Sequence, residues 1–345
     1  MIGQSATVCS IVVGPDDHGV VRHALAVAAA TDVPVVRATE PPATVPWWAG
    51  GADVAHLHFT DRLYGPDAPS GASAFERLTE GLSGRRVVTL HDIPEPTGTA
   101  HAGRRTAAYL RVARRADALV VCSEHERRRL RQIGIDLDTS VIPLPIAPPA
   151  VRIAGRPAPS PAGPGGPGRT VGVLGFIYPG KGHDAVLDAV VPLPDDVVVA
   201  ALGQVSAGHD GLLRELRETA ARTGRRLSVS GFLDDRTMAL AMELVDVPVV
   251  PASTTSASSS LCSWIAAGRR PLAAANGYTS ELAAAAPDLL TLYPPGSPGA
   301  LRRAIVQALA EPASTWHDGG VPAPLRPTAV AAGHLALYHR LQASR

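Results

Sequence analysis

Short β-branched runs alternate with helical patterns along this chain, and they do so in two series separated by a stretch of proline and glycine. In the first series strands fit 7–13, 34–37, 53–59, 86–90, 118–122 and 140–144, and helices fit 20–30, 74–82, 102–116 and 124–133. Ser123 and Glu126 have the spacing of a capping box, which sets the start of the last of these helices. Nearly continuous apolar strands alternating with helices imply a parallel sheet covered on both faces. Residues 147–169, APPAVRIAGRPAPSPAGPGGPGR, have no periodicity and read as an interdomain linker. The second series follows, with strands at 170–175, 196–202, 227–230, 247–250 and 271–274. Its helices fit 183–191, 211–223, 235–244, 260–267 and 300–310. Ligands of open α/β sheets bind outside the carboxyl ends of the strands, so two such sheets facing each other would make a cleft.

Two domains suit a length of 345 residues. With 46% hydrophobic and 18% charged residues the chain can bury two cores and is globular, not disordered. A net charge of +1 supplies no global drive toward nucleic acid or an anionic membrane. The three cysteines, Cys9, Cys122 and Cys262, are odd in number and far apart, so neither a disulfide framework nor a zinc-ligand spacing can be built from them. No basic stretch precedes the first apolar run, as a secretory signal would require. The longest uncharged stretch, 247–268, carries Pro248 and Pro251 among serines and threonines and would span a bilayer poorly. A cytoplasmic location is expected.

Four groups of residues could carry chemistry. The turn after the first strand places Gly14 and Gly19 before a helix, where backbone amides with no Cβ in the way can bind an anion. Glycines in such turns are also ordinary structural residues. After strand 170–175, the segment from Gly175 to Lys181 matches G-x-x-x-x-G-K between a strand and a helix. A P-loop would continue with Ser or Thr to hold magnesium, and Gly182 stands there instead, which argues against a phosphotransferase. Lys181 can still neutralise a diphosphate without metal, or it can be a solvated loop-tip residue.

His56 and His58 share one face of a strand, and His91 with Asp92 ends the next strand, where ligands bind. His91 is a candidate hydrogen-bond or proton partner, whereas His56 reads as a satisfied core residue. No third ligand offers itself for a metal. Arg104, Arg105, Arg111, Arg114 and Arg115, followed by Arg127–Arg129 and Arg131, are read as a solvated helix surface, with peripheral contact to anionic lipid as the alternative. Trp47 and Trp48 lie in a loop where they would either stack on a sugar or cover the core. Asp136 and Asp138 resemble a metal-binding DxD only in spelling.

Taken in order, these motifs resemble the retaining GT-B glycosyltransferases of family 4. HGVVRH at 18–23 resembles the family's GGVxRH, DVAHLHF at 53–59 its DVVHxH, and VVTLHD at 87–92 its VxTxHD. VGVLGFIYPGKGHDAVLDAV, the block LSVSGFLDDRTMALAMELVDVPVVPAS and AAGRRPLAA at 266–274 are similar to the family's second-domain signatures. RPTAVAAGHLALYHRL is similar to the closing helix that packs back on the first domain. The resemblance implies two Rossmann-like domains with parallel sheets facing across a cleft. Residues 1–146 would form the acceptor domain, 170–326 the nucleotide-sugar donor domain, and 327–345 the returning helix.

It also implies roles. Gly19 would offer its amide to the donor diphosphate, and Lys181, following Gly175, would neutralise that diphosphate as the bond to the sugar breaks. His91 would contact the transferring sugar, and Gly231 and Phe232 would lie near the base. Transfer would proceed without metal and with retained anomeric configuration. The family carries two glutamates eight residues apart, for sugar hydroxyls and ribose, where this chain has Thr255 and Ser263. Amides and serines around Ser258–Ser260 remain to bind phosphate. These replacements also admit a non-catalytic binding or scaffold protein of the same fold.

Overall fold

The computed structural model describes residues 7–95, 99–148 and 169–343. Of the expected linker, 149–168 lies outside the described residues. The chain divides into two compact units, Met1–Pro145 with Ala323–Arg345, and Ile146–Pro322.

The first unit runs β1 (Val8–Val13), α1 (Gly19–Ala30), β2 (Val35–Ala38), the short α2 (Trp47–Gly50), β3 (Val54–Phe59), the short α3 (Asp61–Tyr64), α4 (Ala68–Glu80), β4 (Arg85–Leu90), α5 (Ala100–Ala113), β5 (Ala118–Val121), α6 (Glu124–Gln132) and β6 (Thr139–Val141). Its six strands are all parallel, in the order β2-β1-β3-β4-β5-β6. Ser123 caps α6 by accepting from the Glu126 amide at 3.1 Å, and the Glu126 carboxylate turns back to the Cys122 amide. The expected capping box is present with its acidic arm reaching one residue further upstream.

The second unit continues with β7 (Thr170–Leu174), α7 (His183–Val190), β8 (Val198–Leu202), α8 (Asp210–Arg222), β9 (Arg226–Val229), α9 (Asp235–Leu244), β10 (Val247–Val250), α10 (Ser259–Ala266), β11 (Leu272–Ala274), α11 (Gly277–Ala285), β12 (Thr291–Tyr293) and α12 (Pro298–Ala310). Its sheet, also all parallel, has the order β12-β11-β10-β7-β8-β9. Counted from β7, that is the 3-2-1-4-5-6 order of dinucleotide-binding folds. Each sheet reverses its winding once, between β1 and β3 in the first unit and between β7 and β10 in the second. A crevice opens at the carboxyl ends of the strands on either side of such a reversal.

The last helix, α13 (Pro327–Ala343), belongs to the first unit. Val330, Leu337, Tyr338 and Leu341 pack with Val54, Val87, Ala118, Val120 and Ile142 as a separate core beneath the sheet. The Tyr338 hydroxyl bonds His56 Nδ1 at 2.7 Å, and Arg340 pairs with Asp138 at 2.8 Å. Asp138 is therefore committed to an ion pair. Replacing Tyr338 by Phe removes one buried hydrogen bond and is expected to cost about 1 kcal/mol. Tyr338→Ala, which also opens a cavity in that core, is expected to cost about 3–5 kcal/mol. Urea denaturation of the two variants checks both values, and equal losses would show that the hydroxyl's hydrogen bond, not packing, fixes the helix.

Candidate functional site

In the second unit the reversal point gathers the turn after β7 and the start of α10. Lys181 ends that turn and is buried, with 8% of its surface exposed. Its Nζ donates to Ser260 Oγ at 3.0 Å, and Ser260 Oγ lies 3.2 Å from Ser258 Oγ. Ser258 is the N-cap of α10 and accepts from the Leu261 amide at 3.2 Å. A buried ammonium has thus been brought to the positive end of a helix dipole. Among the described residues it has no carboxylate partner, and burial pushes its pKa down to about 8. Two like-signed groups held together out of water attract an anion, and a diphosphate suits them in charge and in hydrogen-bond acceptors.

Glycines make this arrangement sterically possible. Gly175 has φ +105°, and a Cβ on it would lie 3.2 Å from Lys181 Nζ. Gly182 is the N-cap of α7 at φ +90°, and a Cβ there would come within 2.8 Å of Pro251. The position where a P-loop carries its hydroxyl is thus pressed against the end of β10. Beside them the ends of β8 and β9 are stitched together. The Gly203 amide donates to Ser230 Oγ at 2.9 Å, and Ser230 Oγ donates to Gly231 O at 2.9 Å. Gly231 has φ +71°, and Phe232 after it is 65% exposed, presenting an open aromatic face at the same sheet edge.

Thr255 is half-buried in the loop from β10 to α10. Ser263 spends its hydroxyl on Ser259 O, one helical turn back, at 2.9 Å. Thr255 and Ser263 therefore offer no charge, and one of the two hydroxyls is already bonded.

In the first unit, Gly19 is exposed as the first residue of α1, where amides lack intrahelical acceptors. His18 is the N-cap, and its Nδ1 accepts from the Val20 amide at 3.2 Å. His91, just beyond β4, is buried, and Asp92 after it takes the left-handed conformation at φ +51°. Three bonds hold this sharp turn. Thr60 donates to the Asp92 carboxylate at 2.9 Å, Arg105 to Asp92 O at 2.9 Å, and the Tyr109 hydroxyl to His91 O at 2.6 Å. Strain maintained by surrounding bonds is a mark of functional turns.

His91 is also the end of a row of buried imidazoles. His56 is bonded on both nitrogens, to Tyr338 and to Thr89, each at 2.7 Å, as expected of a satisfied core histidine. His58 Nδ1 lies 3.2 Å from His91 Nε2. His23 of α1 meets both His58 and His91 edge to face, at centroid distances of 5.4 and 5.7 Å. Among the described residues no group of three or more His, Cys, Asp or Glu is arranged to hold a metal ion. Burial pushes His23, His56 and His58 well below the ordinary value of 6.5, and pushes His91 to about 3.

No family model matches this chain, and no curated protein sequence does. Solved structures do. HepE from Anabaena, in complex with UDP and glucose, matches with a TM-score of 0.68 at 16% identity, over 98% of this chain and 99% of that one. Sucrose-phosphate synthase from Thermosynechococcus elongatus matches at 0.67 and 18% identity, over 85% and 75%. The lipopolysaccharide outer core galactosyltransferase WaaB matches at 0.60 and 11%, over 97% and 99%. The fold is GT-B.

Within this GT-B fold the sequence-derived residues fall into two groups, one in each unit. Gly175, Lys181, Gly231, Phe232, Thr255, Ser260 and Ser263 belong to the second unit, and Gly19 and His91 to the first. Of the first-unit arginines, Arg105, Arg111, Arg127 and Arg129 are paired, with Asp61, Glu76, Glu124 and Glu95. Arg111 and Arg127 fit a solvated, locally neutralised helix face, whereas Arg129 is buried and Arg105 turns inward to Asp61 and the Asp92 carbonyl. Trp47, 89% exposed on α2, does not cover the core. No helix among the described residues is long and apolar enough to cross a membrane. Sequence reasoning missed the Gly203–Ser230 link and the His58–His91 bond. It also missed a plain signal: among 32 basic residues Lys181 is the only lysine, the rest being arginine. Arginine does not replace lysine where a compact, titratable ammonium must fit a small pocket.

The histidine row has a consequence for stability. The unfolded chain binds protons near pH 6.5 that these folded-state rings refuse, so stability falls as pH drops below about 6.5. Each ring held neutral costs about 1.4 kcal/mol per pH unit there. Urea unfolding at pH 7.5 and 5.5 is expected to show a loss of several kcal/mol at the lower pH, and a flat profile would contradict the burial of neutral rings.

Proposed function

We propose that this protein is a glycosyltransferase that takes a nucleotide-diphosphate sugar as donor and passes the sugar to a small-molecule, glycan or lipid acceptor. The observation that carries the reading is the buried Lys181 ammonium, bonded to Ser260 at the start of α10 and, among the described residues, with no carboxylate beside it. An uncompensated buried cation at a helix N-terminus costs stability unless an anion docks there. In the proposed reaction, residues 170–326 bind the donor and residues 1–146 the acceptor, with 327–345 completing the acceptor domain.

Gly175, Gly231 and Phe232 border the nucleotide, Ser260 and the α10 amides receive phosphate oxygens, and Gly19 contributes an amide to the diphosphate. As the anomeric carbon–oxygen bond breaks, negative charge grows on the leaving diphosphate, and Lys181 neutralises it without a metal ion. His91 contacts the transferring sugar. The incoming acceptor hydroxyl attacks from the leaving-group side and loses its proton to the departing phosphate, which gives retention. Thr255 provides a hydroxyl in place of a carboxylate and Ser263 one already bonded to Ser259 O, so grip on ribose and sugar is weaker than with a charged acceptor, by about 1.5–3 kcal/mol for each bond to a charged group that is lost. Because some solved relatives of this fold hold UDP or UDP-glucose, UDP is the first nucleotide to test.

Isothermal titration with UDP, GDP and ADP at pH 7 is expected to show binding of one of them. Lys181→Ala should weaken it by about 10–100-fold, the equivalent of one hydrogen bond to a charged group. The pH dependence has a definite sign. An anion favours the charged amine, so binding near pH 8 takes up protons, and affinity falls above about pH 8 as the free amine becomes neutral. A folded protein that binds none of the three would instead be a binding or scaffold protein of this fold, the reading that Ser263's internally bonded hydroxyl favours.

A further inference from the structure

His58 and His91 sit on neighbouring strands, and their rings meet edge to edge. The planes are 18° apart, the centroids 5.5 Å apart, and Nδ1 of one lies 3.2 Å from Nε2 of the other. Both rings are buried and neutral, so the pair shares one N–H in that bond, and either ring could donate it. The other nitrogen of His58 decides between them. His58 Nε2 is buried and, among the described residues, has no hydrogen-bond partner. If His91 donated, His58 would carry its proton on Nε2, leaving a buried N–H orphaned. If His58 donates, Nε2 is a bare lone pair. Orphaned donors are the rarer and costlier case in folded proteins.

We infer that His58 is a positioning residue that donates its Nδ1–H to Nε2 of His91, fixing His91 as the Nδ1–H tautomer and so as a neutral hydrogen-bond donor toward a hydroxyl oxygen of the transferring sugar. The sugar contact rests on the functional reading above, whereas the direction of the histidine–histidine bond does not. In this tautomer His91 offers no basic nitrogen outward, because Nε2 is already an acceptor within the pair. It orients the sugar and does not remove a proton. The surroundings keep the pair in this state. His23 and His56 pack against the His58 ring with centroids at 5.4 and 4.5 Å, His334 stands behind His56, and none of these faces supplies a carboxylate that would draw a proton onto the pair.

Long-range proton–nitrogen correlation spectra of the whole protein with 15N-histidine test this directly. The His91 signals are assigned by their loss in His91→Asn. At pH 7 His91 is expected to show a protonated Nδ1 and an unprotonated Nε2. A protonated Nε2, or a mixture of the two forms in the wild type, overturns the inference whatever the activity. His58→Phe, which removes the donor, should release His91 into a tautomer mixture and weaken UDP-glucose about five- to tenfold while leaving UDP unchanged. His58→Asn, whose amide can donate from about the same place, should restore UDP-glucose binding. Equal losses for UDP and UDP-glucose in His58→Phe would reduce His58 to a packing residue. UDP-glucose that binds but leaves the His91 signals unmoved would remove the sugar contact, and with it the orienting role, while the direction of the bond would stand.

Discussion

Right-handed crossovers govern where anything can bind in this molecule. A parallel sheet whose connections all cross in one hand must reverse its winding to cover both faces, and at the reversal two neighbouring strands send their loops apart. The first sheet reverses at β1 and β3 and the second at β7 and β10. The groups with unusual chemistry lie at those strand ends or beside them. Lys181 and Ser260 flank one, and Gly19 flanks the other with His91 one strand away. Their side-chain identities matter only because topology has opened space there.

The two reversal points are built with opposite electrostatics. Around Lys181 positive charge is concentrated, with no carboxylate partner among the described residues, while hydroxyls and amides supply the hydrogen bonds. Around His91 the nearby carboxylate of Asp92 is held by Thr60. Imidazoles are held neutral by burial, and the nearby Asp61 is tied to Arg105. One region is suited to an anion and the other to an uncharged, hydroxyl-rich group.

Most of this fold was legible because most strands are largely apolar and most of the longer helices begin at a side-chain cap. Val247–Val250 and Asp235–Leu244 fall where the pattern puts them. What escaped lacked that contrast. β12 has three residues, too few to show alternation, and α11 is alanine-rich, so its capping box at Asn276 and Thr279 was the only mark of its start. α4 begins at Ala68, six residues before its expected start, because Asp67 caps a first turn that contains Pro69. Motif order placed the candidate site residues on their strands and turns. It could not reveal that Ser230 joins two strand ends or that His58 bonds His91, because both facts depend on register between strands far apart in sequence.

The return of α13 to the first unit makes the order of synthesis matter. The apolar underside formed by Val54, Val87, Ala118 and Val120 is complete once β5 has left the ribosome, yet its cover begins at Pro327. The second unit is contiguous in sequence and can close on itself during that interval. The first unit therefore waits, with a greasy face open, while its younger neighbour folds. A nascent chain stalled before α13 would display that face to chaperones, so the final seventeen-residue helix acts as the latch that ends this exposure.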